Sequence, residues 1–236
     1  MQQLDTSTAQ LGHRRRTLPE LAEIARVRQR REAVAADLVA ADTSVSDLDL
    51  EQSSAEADLE PVRQRLVRNQ TRIADGTVAD PKALGGLVEE VQHLQRRIAT
   101  LEDAELEVME QLETAQATRD RLRRDLAELD AELATLTAKR DDQLRELDAD
   151  VAERRRERAA IVPEIPADLM ALYTKIAATH GGVGAAELRQ RRCTGCQLEV
   201  NAAELREFAA AQEDEVLRCE ECGRVLVRTA NSGLHP

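Results

Sequence analysis

Val34, Leu38, Ala41, Val45, Leu48, Gln52, Ala55, Leu59, Val62, Leu66, Asn69 and Ile73 follow one another in alternating steps of four and three residues, without a slip. Steps that average three and a half residues hold all of these side chains on one edge of a helix and wind that edge around a partner. A strand cannot use such a pattern, because its faces alternate every second residue. Val27 and Ile24 extend the seam upstream, with Arg31 interrupting it. Leu18, Leu11 and Leu4 lie seven apart but one residue out of register. Thr17-Leu18-Pro19-Glu20 has the form of a capping box, so a break and restart of the helix is expected there. Pro61 falls inside the run, where a kink is expected rather than an end.

Asp75-Gly76 and Asp80-Pro81 end the pattern and mark a turn within 74–86. A second seam follows from Leu84 through Leu87, Val91, Leu94, Ile98, Leu101, Glu105, Val108 and Leu112 to Leu136. It then slips at Arg140, Leu144, Leu147 and Val151, a stutter that locally unwinds a supercoil. Two arms of similar length joined by a short turn predict an antiparallel hairpin within one chain and favour a monomer; the competing reading is a parallel dimer between chains, which the turn disfavours. Polar seam residues (Arg31, Gln52, Asn69, Glu105 and Arg119) are expected to set register at some cost in stability.

Composition agrees. A chain of 236 residues has one Tyr, one Phe and no Trp, while charged residues make up 33%. That belongs to long helices rather than to an aromatic-centred globule. No stretch is apolar for long enough to span a bilayer, and Met1 to Gln10 carry no apolar run, so neither a membrane span nor a secretory leader is expected. The net charge of -12 argues against general nucleic-acid binding. Residues 32–62 hold nine acidic side chains and no basic one, and residues 102–113 hold six more, again with no basic one. A hairpin lays these stretches side by side as an acidic band. Glu51, Glu56, Glu102 and Glu105 are therefore candidate contacts for a basic protein partner, and Lys82 for contacts at the hairpin tip. Arginines gather elsewhere. Arg154, Arg155, Arg156, Arg189, Arg191 and Arg192 are candidate contacts to nucleic acid, weighed against a solvated face paired with Glu153 and Glu157.

The four cysteines form two pairs, Cys193-Thr194-Gly195-Cys196 and Cys219-Glu220-Glu221-Cys222. Two intervening residues let both thiolates of a tight turn reach one metal, and two such turns supply the four sulfurs of a closed structural zinc site. The competing readings are two disulfides or a redox pair. Ligand spacing in both pairs, with no thiol left over, favours one zinc per chain in a reducing, cytoplasmic compartment. Such a shell leaves no open position for metal catalysis. The 22 residues between the pairs call for an insertion, and Asn201 is placed to cap a helix running to Ala211. Ala186 to Arg192, Val216 to Arg218 and Arg224 to Arg228 read as strands. Leu169, Leu172, Tyr173 and Ile176 read as one face of a short helix stopped at His180-Gly181-Gly182. Gly181 to Gly184 lacks the lysine and hydroxyl of a phosphate loop and reads as a linker. Tyr173 and Phe208 are expected in the core where hairpin meets ribbon. His13, His93, His180 and His235 show no ligand spacing and are expected at the surface, and residues 231–236 are expected to fray.

Several stretches together resemble a bacterial family that joins a helical hairpin to a four-cysteine zinc ribbon. They are Val78 to Leu84, Ile165 to Ile176, Cys193 to Cys196, and Asp214 to Arg224. The resemblance implies that Cys193, Cys196, Cys219 and Cys222 are zinc ligands. Some members regulate flagella or secretion through an alternative sigma factor or messenger RNA, which implies an interaction protein here. This chain differs from the RNA-binding type in its acidity and scarcity of Lys.

The expected organisation is mainly α: a coiled-coil hairpin over 1–162, a junction helix and linker over 163–184, a zinc ribbon over 185–230 and a tail. The expected role is non-enzymatic, an interaction scaffold engaging protein partners. The alternative is a nucleic-acid-binding regulator acting through the ribbon and the basic base of the hairpin.

Overall fold

The computed structural model describes residues 1–234. Helices α1 (Gln2–Arg16), α2 (Pro19–Ala74) and α3 (Pro81–Ile161) come first. A short 3-10 turn (Val162–Glu164) leads to α4 (Ala167–Thr179). Strands β1 (Ala185–Arg189) and β2 (Arg192–Cys193), helix α5 (Ala202–Ala210), and strands β3 (Leu217–Arg218) and β4 (Val225–Val227) complete the chain. It divides into two compact units, Ala22–Thr137, and Met1–Leu21 with Ala138–Pro236.

Within Ala22–Thr137, every seam position from Ile24 to Ile73 is buried or half-buried, and Val27 and Leu59 are each only 1% exposed. With Leu38 taken as heptad position a, Arg63 is an e residue paired with the e residue Glu102 at 2.6 Å. Asp42 and Arg123 are a second e–e pair at 3.0 Å, and Arg65 and Glu90 meet as g residues. Like-lettered flanking positions meet only when two arms run antiparallel. Helix α2 is continuous through Pro61. The turn is shorter than the sequence suggested. Gly76 takes a left-handed φ of 62°, and the Asp80 carboxylate accepts from the backbone N–H of Lys82 and Ala83. That cap starts α3 at Pro81, a position where a missing N–H costs nothing. Leu84, expected to open the second seam, is exposed in this first turn.

In the other unit the chain breaks at Thr17–Leu18 as expected, but not through a capping box. The Thr17 hydroxyl donates backwards to the His13 carbonyl. Glu20 is 1% exposed and accepts from Lys139 at 2.8 Å and Gln143 at 2.9 Å. Helix α4 buries Tyr173 and Ile176. His180 is half-buried rather than at the surface, and its Nδ1 lies 3.0 Å from the Ile176 carbonyl. His13 and His93 are exposed, and His235 lies outside the described residues. The ribbon is a four-stranded sheet in the order β2-β1-β4-β3, parallel only between β1 and β4. Its core gathers Leu188, Val200, Leu205, Phe208, Leu217 and Leu226 around Cys193 and Cys219. Phe208 thus belongs to the ribbon core, not to the junction. Asn231 to Leu234 do not fray. The Asn231 and Ser232 carbonyls accept from the N–H of Gln190 and Arg191, and Ser232 is 1% exposed.

Candidate metal centre

Each cysteine pair is built into the same turn. The amide four residues after the first cysteine donates back to that cysteine's carbonyl: Gln197 to Cys193 at 2.8 Å, and Gly223 to Cys219 at 2.7 Å. Both donors adopt a left-handed φ, 66° at Gln197 and 67° at Gly223. Glycine takes that conformation without strain, so Gly223 suits the second knuckle, whereas Gln197 holds it in the first at some steric cost. The first knuckle is tied to β1 by Thr194, whose N–H donates to the Glu187 carbonyl while its hydroxyl accepts from the Glu187 N–H. At Gly195 an added Cβ would lie 2.6 Å from Arg224 Cδ and 3.0 Å from Ala186 Cβ. Glycine leaves room there for the Arg224 side chain and for Ala186 of β1.

The four Sγ atoms all lie within 4.8 Å of one another. Cys193 and Cys222 are 3.8 Å apart, as are Cys196 and Cys219. A zinc tetrahedron with Zn–S bonds of about 2.3 Å requires S···S edges of ~3.8 Å. Disulfides need sulfurs at about 2.05 Å, and all four cysteines are free. The donor set therefore fits one structural zinc. Burial pushes the Cys219 thiol up to about 12 and raises that of Cys193. At Cys222 burial acts the same way, but the Arg224 backbone N–H and guanidinium outweigh it and bring the thiol down to about 7. Arg224 also donates to the Val183 carbonyl at 3.0 Å, which holds its side chain beside the centre. Bound zinc would deprotonate all four thiols and close the shell, leaving no position for substrate or water.

The other candidate residues do not converge on one site. Arg189 pairs with Glu187 at 2.7 Å, and Arg154 with Glu157 at 2.9 Å. Arg155, Arg156, Arg191 and Arg192 are exposed, and Arg191 sits in the β1–β2 turn with a φ of 65°. Among the acidic candidates, Glu51 is exposed, and Glu56 is exposed and accepts from Gln52. Glu102 is half-buried in its pair with Arg63, and Glu105 is half-buried in the seam. Lys82 is exposed in the first turn of α3.

Sequence reasoning missed a polar network beside the ribbon. The Asp5 carboxylate accepts from Arg158 Nε and Tyr173 Oη, both at 2.6 Å, tying α1 to α3 and α4. The Gln2 side-chain oxygen accepts from the N–H of Gly184 and Ala185, while its amide donates to the Gly182 carbonyl. Gly184 is more than a spacer, since a Cβ there would lie 2.6 Å from the Tyr173 carbonyl. These partners are more than 150 residues apart in sequence, so no local pattern could announce them.

Comparison with known proteins supports the same architecture. The model of the CT398-like coiled coil hairpin domain matches residues 1–181, and that of the C4-type zinc ribbon domain matches residues 192–226. Protein Rv2229c of Mycobacterium tuberculosis is 35% identical over 225 residues, covering 95% of this chain and 91% of its own. A solved structure from Mycobacterium smegmatis superposes with a TM-score of 0.81 at 34% identity, over 97% of this chain and 94% of that one. CT398 from Chlamydia trachomatis shares the fold, with a TM-score of 0.65 at 14% identity over 97% and 94%. The chain belongs to the family of CT398-like coiled-coil hairpin proteins that carry a C-terminal C4-type zinc ribbon.

Proposed function

We propose that this protein is a non-enzymatic interaction scaffold whose hairpin and ribbon engage protein partners. The observation that carries the reading is the acidic band on the hairpin. The pairs Arg63–Glu102 and Asp42–Arg123 set residues 102–113, with their six carboxylates, opposite the stretch that holds Glu56, Asp58 and Glu60, while the earlier acidic positions face the arginine-bearing stretch that includes Arg123, so the band is shorter than the sequence suggested. A surface of one sign attracts partners of the other and repels nucleic acid. The metal centre supports a structural role for the ribbon, because four protein sulfurs saturate the ion. Neither matching family model describes an enzyme. No described helix is long and apolar enough to cross a membrane.

The test is affinity capture from native lysate with and without nuclease, using wild-type protein and a variant with Glu51→Gln, Glu56→Gln, Glu102→Gln and Glu105→Gln. A protein partner retained after nuclease and released from the variant is the expected result. Recovery that disappears with nuclease would overturn the reading and favour a nucleic-acid regulator, which Arg189, Arg191 and Arg192 would then serve. In that case affinity would fall steeply with salt, and replacing the three arginines would flatten the dependence.

A further inference from the structure

The exposed apolar side chains of the hairpin are not scattered. Excluding Leu84 in the first turn of α3, the large ones within Ala22–Thr137 are Val39, Leu50, Val67, Val88, Leu106 and Met109. In the heptad register fixed by the seams, Val39, Val67 and Leu106 occupy b, Val88 and Met109 occupy e, and Leu50 occupies f. None occupies c or g. The pairs Arg63–Glu102 and Asp42–Arg123 show that the e edges of the two arms adjoin. Five of the six therefore lie on the side of the hairpin that carries those edges, although they come from both helices; Leu50, at f, points straight away from the seam. Val39, Val67 and Leu106 are 67%, 59% and 57% exposed, too open to be part of the two-helix seam. Isolated apolar residues on a surface are ordinary, but a one-sided set on two adjoining helices is the mark of an interaction face.

The charges around this face decide what can cover it. Its middle is edged by Asp49, Glu56 and Glu60 on α2 and by Glu102 and Glu113 on α3. Its one cation at this level, Arg63, is already held by Glu102 at 2.6 Å. On the same side of α2 the b positions Ser46 and Ser53 are uncharged, and the e position Asp42 is held by Arg123 at 3.0 Å. A second copy of this chain would bring the same carboxylates against these and be repelled. We infer that this face receives a third helix, a basic amphipathic helix from a protein partner. Its apolar stripe would cover Val67, Leu106 and Met109, and its lysines and arginines would meet the carboxylate rim. The inference rests on the scaffold reading and gives it a location and a partner chemistry.

The test uses the full zinc-loaded chain and a synthetic peptide of about four heptads, with leucine at a and d and lysine or arginine at e and g. A shuffled peptide of identical composition serves as the control, and binding is followed by fluorescence anisotropy over a salt series. The patterned peptide should bind about tenfold tighter than the shuffled one. Combining Val67→Ser, Leu106→Ser and Met109→Ser should remove that advantage, while the helical signal stays unchanged because these side chains are exposed. Asp49→Asn with Glu56→Gln and Glu113→Gln should weaken binding and flatten its salt dependence. Equal binding of the two peptides, or indifference to the serine variant, overturns the inference. A wild-type dimer that Leu106→Ser dissociates in sedimentation overturns it in favour of a second copy. A native partner captured equally by wild type and serine variant overturns this face and leaves the scaffold reading standing. Failure to capture any protein partner strikes the scaffold reading itself.

Discussion

Two side chains show how single residues hold the hairpin base in place. Tyr173 is 7% exposed, and its hydroxyl donates to Asp5 at 2.6 Å. Burial first, and then the Asp5 carboxylate, push that phenol well above its ordinary value. A hydrogen bond to a charged acceptor contributes about 1.5–3 kcal/mol, so Tyr173→Phe should destabilise this unit by that amount in urea unfolding. An unchanged midpoint would mean that solvent replaces the bond at no cost. Glu20 is a carboxylate taken out of water, with Lys139 and Gln143 donating to one oxygen and no described partner for the other. The Lys139 hydrogen bond is the largest of the effects holding it below its ordinary value of 4.5. A depressed folded-state value means that stabilisation is present above the unfolded value and lost as pH falls through the folded one. The Tm advantage of wild type over Glu20→Gln should therefore shrink below about pH 4.5 and vanish at lower pH. A difference that stays constant from neutral pH to acid would show that Glu20 acts through packing alone.

At the scale of elements, α2 and α3 obey their heptads closely. Burial follows the steps of four and three through Gln52 and past Pro61, because supercoiling keeps the seam facing its partner whatever residue occupies a single site. Asn69 is the seam residue with the clearest consequence. It is 6% exposed, and its side-chain nitrogen has no hydrogen-bond partner. Leaving a buried donor unsatisfied costs about 1–3 kcal/mol, so Asn69→Leu should stabilise the hairpin by an amount in that range. The same change should loosen register, since a polar seam residue penalises misaligned pairings. Cysteine pairs placed across the arms should then trap shifted registers that the wild type does not form. A single register in the leucine variant would mean that the e–e and g–g ion pairs set alignment on their own. In the ribbon, α5 fills the insertion between knuckles. Asn201 caps its start by accepting from Ala203 and Glu204 N–H, and Arg228 holds its end by donating to the Phe208 and Ala211 carbonyls.

For the molecule as a whole, the relevant division is between a unit stabilised by its own apolar seam and a unit that includes a metal centre. The ribbon core has few large apolar residues and buries two of the four cysteines among them, so its stability depends on the ion. Cys219→Ser should lower zinc content from one per chain to about zero by elemental analysis and abolish cooperative unfolding of the ribbon. Most of the helical signal should remain, because the seam of Ala22–Thr137 needs no metal. Global loss of helix in that variant would show that the two units fold as one.

Periodicity and spacing are legible in the amino-acid sequence by itself. The two seams, the turn around Gly76, the break before Pro19, the capped helix at Asn201 and the four ligands all follow from rules that act over a few residues. Backbone geometry repeats locally, so such features leave a local trace. Tertiary structure alone decided the rest. Gln2 meets Gly184, Asp5 meets Tyr173, and Ser232 fastens a tail that looked free, because side chains distant in sequence were brought together by folding. The one-sided apolar face is of the same kind. Val39 and Val67 on one arm, and Leu106 and Met109 on the other, look like isolated surface residues until antiparallel pairing puts the two e edges together.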